Sequence, residues 1–199
     1  MLKPVKELPV NYTPAGGVSI HKASDLAPML VWSILLPVLA LALILLVLEL
    51  TTDVSVMLDI HIPGNGLVIL GYILLVTLGM LILHEGLHGL VFWFSTREPP
   101  KFAFKWYYAS ASPGDWYLPR KPFMLATLLP LVGITIIGLA LLPFIGGQWR
   151  SLLILLVVFN ASGAAGDLVV ALRLAKLPAE TLTRDSGAEV RFYAPVSSE

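Results

Sequence analysis

Leu81-Ile82-Leu83-His84-Glu85-Gly86-Leu87-His88-Gly89-Leu90-Val91-Phe92-Trp93-Phe94 places two histidines and a glutamate inside an otherwise apolar run. The run reaches back to Gly66. It is longer than the roughly 20 residues a helix needs to cross a bilayer, so it must tilt or protrude.

Three further apolar segments lie around it: Pro28 to Leu48, Phe123 to Leu142, and Ser151 to Ala175. Pro122 suits the first turn of the segment it precedes, while Pro37 and Pro130 read as kinks. The composition agrees with lipid as a solvent. Hydrophobic residues make up 57% of the chain and charged ones 13%, against about a quarter charged in a soluble domain. The expected fold class is an all-α polytopic membrane protein with four transmembrane helices, at about 28–48, 66–94, 123–142 and 151–175. Residues 1–27 and 176–199 are expected to be cytoplasmic tails. The first segment is too long for a signal peptide and reads as a retained helix.

Basic residues orient the spans. Lys3, Lys6 and Lys22 precede the first; Arg97, Lys101, Lys105, Arg120 and Lys121 lie between the second and third. Arg173, Lys176, Arg184 and Arg191 close the chain, and Arg150 stands apart from the rest. Glu49, Asp53 and Asp59 make the first loop acidic. Both termini are therefore expected in the cytoplasm, with the protein multi-pass in the cell membrane. The absence of cysteine excludes disulfides, thiolate zinc sites and a thiol nucleophile. Basic residues confined to short loops give no footing for nucleic acid.

Lys101 to Tyr108 alternates, with Phe102, Phe104, Trp106 and Tyr108 on one side, and Ser112-Pro113-Gly114-Asp115 follows as a turn signal. This predicts a small cytoplasmic β-hairpin between the second and third spans. Asp185-Ser186-Gly187 is a weaker hairpin signal. Trp106, Tyr107, Tyr108, Trp116 and Tyr117 read as an interfacial aromatic belt, and His21 and His61 as solvated loop residues.

Away from the ends of the four segments, the acids and histidines are His84, Glu85, His88 and Asp167. An acidic residue at the middle of a spanning helix costs roughly 2.5–3.5 kcal/mol on insertion scales, so each needs a partner or a task. His84-Glu85-Gly86-Leu87-His88 is the pattern H-E-x-x-H. Residues four apart share a helix face, which lets both imidazoles reach one zinc. Glu85 then lies beside the metal, placed to take a proton from water and pass it to a leaving amine. A catalytic zinc takes a third protein ligand and keeps one open position. The position six residues past the motif, where a soluble zincin would carry a third histidine, is Phe94. Glu98 and Asp115 are alternatives from the loop. Asp167 fits better, because an acid in a spanning helix is otherwise unexplained. Asp167 and His88 also lie at similar depths, six residues before Arg173 and nine before Arg97. Asn160, seven residues before Asp167, is a candidate donor to the developing oxyanion.

The motif on one membrane helix, with Asn160-Ala161-Ser162-Gly163-Ala164-Ala165-Gly166-Asp167 on a later one, resembles the site-2 group of intramembrane metalloproteases. The order of spans, the basic aromatic loop and the Gly-Asp ending are more similar to a family of small bacterial and archaeal membrane proteins classed as zincin peptidases. The resemblance covers roughly residues 65–195. It implies zinc on His84, His88 and Asp167, Glu85 as general base, and membrane protein or peptide substrates. The chain departs from the site-2 pattern in having Gly166 before the aspartate and Leu168 after it. Two rival readings remain, an ion pathway and a metal-binding scaffold without catalysis. Four spans with no inverted repeat disfavour the first, and an intact Glu85 disfavours the second.

Overall fold

The computed structural model describes residues 2–52, 62, 64–105 and 108–196. The expectations for Asp53, Asp59, His61, Trp106 and Tyr107 fall outside them. Along the chain come β1 (Tyr12–Ser19), α1 (Ala23–Thr51), α2 (Gly66–Thr96), β2 (Lys101–Lys105), β3 (Tyr108–Ser112), β4 (Tyr117–Pro119) and α3 (Arg120–Leu141). A 3-10 turn (Leu142–Phe144) leads to α4 (Gly147–Gly163), α5 (Ala165–Ala175), β5 (Leu182–Asp185) and β6 (Glu189–Pro195).

This architecture corrects the all-α expectation twice. The tails read as polar extensions supply β1, β5 and β6 to a four-stranded antiparallel sheet of order β1-β6-β5-β4. Among the described residues three helices, not four, are each long and apolar enough to cross a membrane: α1, α2, and α3 with its 3-10 turn. The predicted span 151–175 is two helices that meet at 45° and satisfy the criterion only when taken together. Ser162 and Gly163, poor helix formers, precede the break, and the N–H of Ala164 turns back to the carbonyls of Asn160 and Ser162.

The chain divides into two compact units, residues 1–30, 85–129 and 166–199 in one, and 31–84 and 130–165 in the other. The first holds both sheets. Leu118, Phe123, Leu174, Leu182 and Phe192 fill its core. Tyr117, expected at a lipid interface, is buried there instead and meets Tyr193 edge-on at 5.4 Å. Arg173 near the end of α5 pairs with buried Asp25 of α1 at 2.7 Å and donates to the carbonyl of Gly17 in β1. Asp25 also accepts the N–H of Ser19. These bonds fasten the last helix to the first strand.

The second unit is helical. Ile44, Leu48, Leu142 and Val157 are fully enclosed in it, while Ile34, Leu74, Leu75 and Ile137 lie at least 60% exposed. A surface of aliphatic side chains on long helices is what lipid, not water, accommodates.

The Lys101–Tyr108 stretch does enter a two-stranded antiparallel ribbon, but with β3 as its partner. β2 pairs with β3 from Lys101↔Ser112 to Lys105↔Tyr108. Ser112-Pro113-Gly114-Asp115 instead links β3 to β4, with Gly114 at φ +70°. Asp185-Ser186-Gly187 does form the turn between β5 and β6.

Candidate functional site

α2 is unbroken from Gly66 to Thr96, so His84 and His88 stand one turn apart on a single helix face. His84, Glu85 and His88 are all buried. His88 Nε2 lies 3.3 Å from Asp167 Oδ2, and Asp167 occupies the first turn of α5, where the helix dipole favours an anion. One candidate ligand atom from each of His84, His88 and Asp167 lies within 4.8 Å of the others. The break before Ala165 is what separates Asp167 from the register of Asn160 on α4.

Neighbouring groups fix both rings. His88 Nδ1 donates to the carbonyl of Ala126 at 2.8 Å, and its ring stacks at 6.5 Å on Phe92, which packs on Phe123. His84 Nδ1 lies 2.9 Å from Asn160 Oδ1, while Asn160 Nδ2 donates to the carbonyl of Pro130 at 3.1 Å. Asn160 is completely buried. A carbonyl oxygen only accepts, so the amide nitrogen must face Pro130 and its oxygen must face His84. His84 therefore carries its proton on Nδ1, as His88 does.

Glu85 is held differently. Its Oε2 accepts the backbone N–H of Ala111 in β3 at 2.6 Å. Gly89 faces the hairpin: a Cβ there would collide with Phe102 and crowd Pro100.

The loop acids are engaged elsewhere. Glu98 pairs with Lys6 at 2.7 Å and accepts from Trp116 Nε1; Asp115 pairs with Lys101 and Arg184. The hydrogen bond from Lys6 holds the Glu98 carboxyl below its ordinary range, and that from Lys101 does the same for Asp115. Asp185, unremarked in the sequence beyond its turn, is a buried carboxyl that accepts the N–H of Gly187. Burial raises its pKa to about 7, and the charges of His88, Asp167 and Glu85 act on it more weakly. The turn that Asp185 opens was legible in the sequence, but its nearness to His88, Asp167 and Glu85 was not. Proline at 130 was visible in the sequence, but what its carbonyl touches was not.

Two imidazoles and a carboxylate, with Nδ1 of each ring bonded away, form a donor set suited to zinc. Calcium or magnesium would call for more oxygen.

No curated protein and no solved structure matches the chain. A family described as "Putative zincin peptidase" matches residues 77–182, more than half of the 199 residues and the stretch that holds all three candidate ligands, so the chain belongs to that family.

Proposed function

We propose that this chain is a zinc-dependent membrane endopeptidase that hydrolyses a peptide bond of a membrane protein in or near the bilayer. The observation that carries the reading is the convergence of His84, His88 and Asp167, with Glu85 between the two histidines in the chain. Zinc held by these three would polarise the scissile carbonyl and acidify water. Glu85 takes a proton from that water and delivers it to the leaving amine. The Ala111 N–H holds the carboxylate in place for both transfers. Asn160, with both ends of its amide engaged by His84 and Pro130, serves in this reading to orient a ligand.

A helical substrate hides its peptide bonds, so a segment to be cut must first be extended, and its backbone then needs new partners. The edge of β3 that meets Glu85 can supply them by strand addition. β1 and β6, which flank the helices in sequence, pair in one sheet. This pairing supports a topology in which the segments before α1 and after α5 share a side, and their basic residues favour the cytoplasm for it.

The deciding experiment compares membrane proteins of cells expressing the wild type and Glu85→Gln. Fragments that appear only with the wild type support a peptidase. Identical profiles, with zinc bound to both proteins, would instead favour a scaffold.

A further inference from the structure

Pro130 lies inside α3. Proline has no N–H, so the carbonyl four residues earlier receives no helical hydrogen bond from it. That carbonyl belongs to Ala126, and it accepts His88 Nδ1 at 2.8 Å. The bond sets the tautomer of His88 and directs Nε2 toward Asp167, 3.3 Å away. The carbonyl of Pro130 itself accepts Asn160 Nδ2, which turns the amide oxygen to His84 Nδ1. Two carbonyls one helical turn apart thus orient the two histidines, one directly and one through an amide.

We propose that Pro130 is a positioning residue for the metal centre, reserving the Ala126 carbonyl for His88 by withholding an N–H. The inference rests on reading His84, His88 and Asp167 as zinc ligands. Any other residue at 130 would aim an N–H at the Ala126 oxygen along the helix axis. His88 would then share an acceptor already engaged, and its ring would lose the bond that holds it. Proline is a poor residue for a helix interior on local grounds. Removing it should therefore favour the helix while loosening the metal site, opposite signs that a purely structural proline would not give.

Three full-length proteins test this in phosphatidylcholine nanodiscs: the wild type, Pro130→Ala, and a variant carrying the α-hydroxy analogue of alanine at position 130. The analogue forms an ester, which lacks both the ring and the N–H. Zinc affinity is measured by chelator competition, the melting temperature on metal-free protein, and the histidine tautomer by 15N NMR of metal-free protein. Pro130→Ala is expected to bind zinc about 10–100-fold more weakly, although its metal-free form melts no lower than the wild type. The ester variant is expected to bind zinc close to wild-type affinity. Wild-type affinity in Pro130→Ala overturns the proposal, as does an ester variant as weak as Pro130→Ala, since the ring would then be what matters. A wild type whose His88 Nδ1 carries no proton overturns it too, independently of zinc. If the wild type shows the Nδ1–H tautomer but binds no zinc, the ligand assignment has failed and not the hydrogen bond.

Discussion

The backbone N–H of Ala111 donates to Oε2 of Glu85 at 2.6 Å, which fixes the directions of every other backbone group in the β2–β3 ribbon. In an antiparallel pair, successive residues point their N–H and C=O alternately toward the partner and away from it. If Ala111 points at Glu85, then Ala111 and its partner Phe102 face outward, while Ala103↔Ser110 and Lys105↔Tyr108 carry the ladder. Proline at Ala103 or Lys105 would remove an N–H from that ladder. Those substitutions would break the ribbon itself. Ala111→Pro is the sharper test, because proline is tolerated where a strand's N–H points away from the ladder. A hydrogen bond to a charged group is worth roughly 1.5–3 kcal/mol, so turnover should fall about 10–100-fold with zinc content unchanged. Undiminished turnover in Ala111→Pro would separate β3 from the catalytic step.

Metal content gives the second prediction. Purified protein should carry about one zinc per chain, and alanine at His84, His88 or Asp167 should lower occupancy sharply in each case. Glu98→Ala and Asp115→Ala should leave it untouched, because those carboxylates are paired with Lys6 and Lys101. Elemental analysis of the six proteins decides the matter. Full occupancy in Asp167→Ala would remove it from the ligand set.

How far the sequence led depends on the range of the interaction. The motif on α2 was legible because a four-residue spacing on one helix is a local property, and α2 itself because its apolar run is long. The sheet was not legible, since β1 and β6 meet across at least 170 residues and Tyr12 to Ser19, with Pro14, Gly16 and Gly17, shows no clean alternation. Gly16 marks the irregularity in that pairing, where the register shifts after Pro14. The broken fourth segment was misread because hydropathy averages across Ser162 and Gly163 without registering that both weaken a helix. Asp167 was identified as an unexplained acid, and Asn160 as its neighbour in sequence. The actual partners of Asn160, His84 and the carbonyl of Pro130, depend on tertiary packing.

Asp185 predicts a pH dependence of stability. Its folded pKa, raised by burial to about 7, stands above the ordinary value of 3.8. Between these values the native state holds a proton that the unfolded chain releases. The contribution is fully present below about pH 4 and is lost as pH rises through 7. The slope is at most about 1.4 kcal/mol per pH unit. Asp185→Asn cannot lose that proton, so in metal-free protein its stability advantage over the wild type should grow from pH 4 to 7 and then level off. A difference between the two proteins that stays constant over this window would show Asp185 ionised in the fold.

Asn160 separates two roles that predict different kinetics. An amide that donated to a developing oxyanion would act on turnover, and its loss costs about 10²–10³ in kcat at any zinc concentration. An amide that orients a ligand acts on the metal. Its oxygen holds the proton on His84 Nδ1 at 2.9 Å, and its nitrogen is bonded to the carbonyl of Pro130. The side chain is wholly buried between these partners. Asn160→Ala would leave His84 without that acceptor and free its ring to rotate. Zinc affinity should then fall about 10–100-fold, and kcat measured at saturating zinc should return near the wild-type value. A kcat that stays two orders of magnitude low when zinc is saturating would assign Asn160 to the reacting carbonyl, and would require its amide to leave Pro130 when substrate binds.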